Sequence, residues 1–193
     1  ERLLVDDVAE YFGAPIVLIA SENRDALRAA KKRVKIEMAP LSPIFSIDDA
    51  IAAKSFLGPQ RVIERGEVTR ALASSEHTLE GFLEVGGQEH FYLEGQVAMA
   101  VPGEDGDMLV HSSTQHPTEV QHIVGHMLGL HDNAVTVEVR RMGGGFGGKE
   151  SQASQWAAIA ALGAWKTGRP CKIRLDRDDD IIMTGKRHDF RVD

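Results

Sequence analysis

One cysteine, Cys171, occurs in 193 residues. An internal disulfide is impossible, a thiolate zinc site or an iron–sulfur cluster is excluded, and a reducing compartment, with a cytoplasmic address, is the expectation. No stretch approaches the ~18 apolar residues that a membrane helix needs, and no leader of charged start and apolar middle opens the chain. Basic charge is scarce as well. Against 29 Asp and Glu stand 22 Lys and Arg, a net −7, with no basic cluster of five, so a nucleic-acid surface is not expected. There is no internal repeat and no low-complexity tract. What is there is 42% hydrophobic, enough to bury a core in one or two domains. The absence of an initiating Met, and a final stretch from Arg187 that reads as the start of a strand, lead us to expect a piece of a longer subunit.

The pattern alternates strands and helices. Residues 15–20 form a continuous apolar run suited to a buried strand, and Ser21 can cap a helix with Ala26, Ala29, Ala30 and Val34 facing inward. Strand character resumes over 34–38, which suggests a small α/β layer. Pro40 and Pro43 break the pattern, and Ser46 opens a short helix reaching about Ala53. From Arg61 the texture is that of strands, at 61–64, 77–85, 96–101 and, after a Pro–Gly turn, 108–112. Pro117 starts a helix with Val120, Ile123, Val124, Met127 and Leu128 on one face, ended by Gly129 or Asn133. A strand at 134–139, a glycine-rich loop, an alanine-rich helix at 150–165 and a strand at 171–175 follow.

The glycine loop, Met142-Gly-Gly-Gly-Phe-Gly-Gly-Lys149-Glu150, is the most informative stretch. Glycines at that density permit tight turns and close approach of another molecule. At a strand-to-helix junction, main-chain amides and the helix dipole favour an anionic or oxygen-rich cofactor. Gly143-x-Gly145-x-x-Gly148 satisfies the dinucleotide fingerprint, with strands on both sides and Asp176 beyond, so a Rossmann-type domain is one reading. Gly143-x-x-x-x-Gly148-Lys149 satisfies most of a phosphate loop, but Glu150 stands where Ser or Thr should hold magnesium and would repel triphosphate.

A third reading takes every letter. The loop resembles the cofactor loop in the molybdenum-binding part of the xanthine dehydrogenase family, and Gly87-Gln-Glu-His-Phe-Tyr-Leu-Glu94 is similar to a second segment of that family. Ser113-Thr-Gln-His-Pro-Thr-Glu-Val-Gln121, Thr167-Gly-Arg-Pro170, Leu175-Asp-Arg177 and Thr184-Gly-Lys-Arg-His188 resemble bacterial members in order and spacing. Phe12-Gly-Ala-Pro-Ile16 resembles the smaller hammerhead domain that precedes them, although members usually carry Gln where Ala14 stands. The resemblance implies an α/β (α+β) fold: a hammerhead-like α/β domain over residues 1–58, then, over 59–193, the first part of a molybdenum-cofactor-binding domain with mixed sheets. It implies hydroxylation of hypoxanthine or xanthine to urate, or of another N-heterocycle or an aldehyde. Molybdenum-molybdopterin is the implied cofactor, with 2Fe-2S clusters and FAD on other domains or subunits and NAD as final acceptor. The implied partners are the remainder of the molybdenum subunit and the iron–sulfur and flavin parts, in an oligomer.

Residue roles follow the same resemblance. Gln88, otherwise a polar turn residue, is implied as the neutral amide donor to an oxygen ligand of the metal. Phe146 and Gly147 are implied to touch the cofactor through their main chain, and Glu150 to hydrogen-bond a purine edge where aldehyde-acting members tend to be apolar. No direct metal ligand is expected. The family's general-base glutamate stands in a Gly-Glu-Pro context that does not occur here. His116, His122 and His126 are read as structural or solvated, His90 as a buried hydrogen-bonded histidine or a neighbour of the cofactor. Asp176 and Asp178 to Asp180 are read as capping and solvating a helix.

Overall fold

A computed structural model describes residues 2–192. In chain order its elements are α1 (Arg24–Lys31), α2 (Ile47–Ala52), α3 (Val68–Ser74), β1 (Val97–Pro102), β2 (Met108–Ser112), α4 (Pro117–Leu128), β3 (Val135–Glu138), α5 (Gln152–Thr167), β4 (Cys171–Arg174) and α6 (Arg177–Met183). Two compact units emerge, one of Glu1–Ile36 with Gln88–Arg187, the other of Glu37–Gly87 with His188–Asp193.

The first unit is built on a four-stranded sheet in the order β3-β2-β1-β4. The β1–β2 hairpin is antiparallel, with Ala100 opposite Val110; β3 joins β2 in parallel and β4 joins β1 antiparallel. The sheet is therefore mixed, as expected for the fold class. One face alternates inward through Ala98, Ala100, Met108 and Val110, and α4 and α5 cover it. Alanines at 157, 158, 160, 161 and 164 leave α5 narrow, so it seats close on the strands while also meeting Val120 and Val124 of α4. Trp156, Ile159 and Leu175 form a smaller cluster beside Leu18 and Met183. Helix ends obey local chemistry. Pro117 occupies the first turn of α4, Gly129 closes it in a left-handed conformation (φ 70°), and Asp176 caps α6 by accepting from the Asp179 N–H at 2.9 Å. For α1 the cap is Asn23 instead of Ser21, which accepts from the Asn23 N–H and shapes the turn one step earlier.

The second unit holds α2, capped by Ser46 as expected, and α3, which the pattern did not suggest. Its apolar residues, Phe45, Ile63, Leu79 and Phe82 among them, are exposed. The strands expected at 15–20, 34–38, 61–64 and 77–85 do not form. Their residues have strand chemistry, yet a strand exists only against a partner edge, and among the described residues no ladder runs along them, the 15–20 run having one bond, from the Val5 N–H to the Pro15 carbonyl at 2.7 Å.

Candidate functional site

The glycine loop crosses from β3 to α5 and is fastened by side chains from two earlier segments. Glu94 holds its start: the carboxylate accepts from the Gly143 N–H at 2.9 Å, while the Glu94 N–H donates to the Gly143 carbonyl at 3.0 Å. Gln115 holds its end, its Oε1 accepting from the N–H groups of Gly147 (2.9 Å) and Lys149 (3.3 Å). The carbonyl of Lys149 takes the Gln115 N–H at 2.8 Å and the Thr114 hydroxyl at 3.0 Å.

Lys149 is fully buried (0% exposed). Its ammonium donates to Glu94 Oε2 and Ser113 Oγ, each at 3.0 Å, and lies 4.8 Å from the centre of the Tyr92 ring. The Ser113 hydroxyl donates in turn to Glu94 Oε2 at 2.6 Å. Burial raises the Glu94 carboxyl, but hydrogen bonds from Ser113, Gly143 and Lys149 outweigh it and bring it down to about 2. Behind this lies a second polar cluster. The Tyr92 hydroxyl donates to Asp180 at 2.6 Å, the Gln96 N–H donates to the same carboxylate at 2.6 Å, and Gln96 Nε2 donates to Tyr92 and to the Gly148 carbonyl. Burial, then the bond to Asp180, pushes the Tyr92 hydroxyl up to about 12, so it stays a donor.

Close packing explains the glycines. A Cβ at Gly143 would stand 2.5 Å from Glu94 Cβ, one at Gly145 2.5 Å from Gln115 Oε1, and one at Gly148 2.6 Å from the Tyr92 ring. Gly147 differs. It has φ +94°, but nothing in the chain comes nearer than 3.8 Å to its Cβ direction, so the space there is open. Phe146 precedes it at φ 54° and is 75% exposed, and among the described residues no group accepts its N–H.

Phe146 and Gly147 share the open side of the loop, beside His90. Glu150 is exposed, and its carboxylate meets no described partner; its N–H donates to the Gly147 carbonyl at 3.5 Å. Gln88 is exposed and pairs through the main chain with Arg187, and no hydrogen bond joins it to the loop. His116 and His122 have carboxylate partners, Glu119 at 2.8 Å and Asp132 at 2.6 Å, and no described group of three or more His, Cys, Asp and Glu could hold a metal ion. Asp180 is not a solvated helix acid but a buried core residue. Glu94, Gln115 and Lys149 all lie inside the motifs quoted above; their sequence positions carry the signal, their roles do not.

The same geometry removes the nucleotide readings. In a dinucleotide-binding unit the two strands around the helix lie in one parallel run, whereas β3 and β4 occupy opposite edges with an antiparallel hairpin between them. A phosphate-loop lysine must reach phosphate, and Lys149 is enclosed by Glu94, Ser113 and Tyr92. A loop with an unpartnered amide, an open Gly147 and a rigid backing suits a cofactor bound through main-chain groups.

The chain belongs to the molybdopterin cofactor-binding domain family, which matches residues 55–193. Xanthine dehydrogenase/oxidase from Gallus gallus is 42% identical over 191 residues, covering 98% of this chain and 14% of that protein. Aldehyde oxidase 2 from Cavia porcellus is also 42% identical, over 190 residues, 97% of this chain and 14% of that one. Among solved structures, the aldehyde oxidoreductase from Desulfovibrio gigas aligns with a TM-score of 0.80 at 28% identity, covering 95% of this chain and 21% of that chain. The chain thus spans about one-seventh of the length of these curated relatives. Among the described residues no helix is long and apolar enough to cross a membrane.

Proposed function

We propose that this chain forms one wall of the molybdopterin pocket in a molybdenum hydroxylase that oxidises xanthine or hypoxanthine to urate. Glu150 carries the substrate reading: an exposed, unpaired carboxylate one residue beyond the loop offers a charged acceptor to the N–H edge of a purine. The runner-up is oxidation of an aldehyde or another N-heterocycle. It draws on the equal identity to an aldehyde oxidase, which shows that overall likeness does not choose the substrate.

When bound, the molybdenum cofactor supplies a nucleophile at neutral pH and takes up the electron pair. The chain's own contributions are binding and orientation. Phe146 offers its free N–H, and Gly147 adds open space for close approach. Gln88 brings a neutral amide donor, which stabilises oxygen charge without exchanging a proton. A division near residues 58 and 59 into a hammerhead-like segment and a cofactor-binding segment belongs to the same reading, supported by a family match that begins at residue 55. So do iron–sulfur and flavin partners elsewhere, NAD as acceptor, an oligomer and a cytoplasmic address. The test is metal and pterin analysis of the full-length protein alongside xanthine turnover. Stoichiometric molybdenum with urate formation is expected; bound NAD without molybdenum would overturn the reading.

A further inference from the structure

We propose that Lys149 is a positioning residue, a buried cation whose pairing with Glu94 and Ser113 locks the glycine loop in the one shape that presents Phe146 and Gly147 to the cofactor.

Lys149 has no surface from which to act directly. With no exposed surface, it reaches neither ligand nor solvent, and it is not needed to fill space, since a methionine of similar volume would do that without desolvating a charge. A buried ion pair is weak evidence for stability, because its desolvation offsets its attraction. Its distinctive property is directionality. The ammonium has two oxygen acceptors and the face of one ring, and it is satisfied only when Glu94, Ser113 and Tyr92 stand together. Glu94 in turn holds Gly143 at both its polar groups, the carboxylate accepting from its N–H and the Glu94 N–H donating to its carbonyl. The first and last residues of the loop are thereby tied through one carboxylate. The residues between them, freed by their glycines to wander, are left a single closed path.

Gln115 fixes the Gly147 and Lys149 amides but touches nothing at Gly143, so it cannot replace this buckle. If Lys149 is the anchor, removing its charge should loosen Gly143 to Gly147 while the sheet and α5 remain. If it serves only the core, the loss should appear as lower melting temperature with the loop unchanged.

The test uses the full-length protein with Lys149→Met, Glu94→Gln and the double variant. Amide exchange of the 143–149 segment reads the buckle directly, and molybdenum and pterin content read its consequence, which alone rests on the cofactor assignment above. Lys149→Met is expected to keep its far-ultraviolet spectrum, to exchange loop amides at least about tenfold faster and to retain less than about a fifth of the cofactor. The double variant is expected to be no worse than the poorer single one, since each residue acts through the other. Wild-type loop protection in Lys149→Met, or effects of the two substitutions that add, would overturn the proposal. If the wild-type protein held no pterin, the functional reading would fall and amide exchange would still decide the buckle. Should Lys149→Met not fold, Ser113→Ala, which removes one acceptor and leaves the ion pair, is expected to show a smaller loosening of the same segment; unchanged exchange there would count against it.

Discussion

At the level of single residues, Glu150 and Glu94 show how two carboxylates near one loop serve opposite ends. Glu150 is exposed and meets no described partner; Glu94 accepts three hydrogen bonds, all on Oε2. Replacing Glu150 by Val in the full-length protein should therefore leave molybdenum loading near wild type and cut purine turnover. The loss of one hydrogen bond to a charged group, roughly 1.5–3 kcal/mol, corresponds to about ten- to a hundred-fold in kcat/KM. Steady-state xanthine kinetics with metal analysis check it. Glu94 predicts a pH effect on stability. Its folded carboxyl, at about 2, lies below the ordinary carboxylate value, so the stability it contributes is whole above about pH 5 and is lost as pH falls toward 2. Its side chain is 40% exposed, so solvent screening keeps the effect modest. Thermal melts across that range should slope downward with acid, and Glu94→Gln should flatten the slope. Among the glycines, Gly148→Ala should harm folding through collision with Tyr92 and His90, whereas Gly147→Val meets open space and strain from φ +94° alone. Loss of cofactor from a folded Gly147→Val protein would then report a blocked ligand; full metal content would remove Gly147 from the pocket.

At the level of elements, the most consequential link is between α6 and the segment before β1. Asp180 accepts from the Tyr92 hydroxyl and the Gln96 N–H, and Gln96 continues the chain of bonds to Gly148. Asp180→Ala would leave two buried donors without this acceptor, a cost of about 2–6 kcal/mol at about 1–3 kcal/mol for each. Chemical denaturation of the variant should show a lower midpoint with a similar slope, and an unchanged midpoint would contradict the network. None of this was legible in the run Asp178-Asp-Asp180, which reads as a solvated helix start because acids of one kind carry no mark of which one turns inward. Helices α4 and α5 and the β1–β2 hairpin were legible, since they announce themselves by period, proline and glycine, whereas α3 was not. The candidate site was legible as two strings of letters. The clasp between them was not, because Glu94, Gln115 and Lys149 meet only after the sheet has brought distant segments together.

At the level of the whole molecule, the sheet is covered on one face and the second unit keeps its apolar residues in solvent. Exposed apolar surface of that extent favours association. The 193-residue chain expressed alone is thus expected to self-associate, to hold little molybdenum and to form no urate. Light scattering, elemental analysis and an artificial-acceptor assay check this together, and a monodisperse, metal-loaded, active product would show that the remaining six-sevenths of the relatives' length is dispensable.

The fastening of the loop by residues far back in the sequence also fixes an order of events. Glu94 precedes Lys149 by 55 positions, and at about 5–20 residues per second the ribosome needs roughly 3 to 11 s to make the second after the first. During that interval the β1–β2 hairpin and α4 can form from neighbouring contacts, while Glu94 waits without its cation. The loop takes shape only once Lys149 arrives behind β1, β2 and β3, before α5 and β4 have been made. A cofactor offered earlier would find no seat, so its insertion belongs after synthesis of this region is finished.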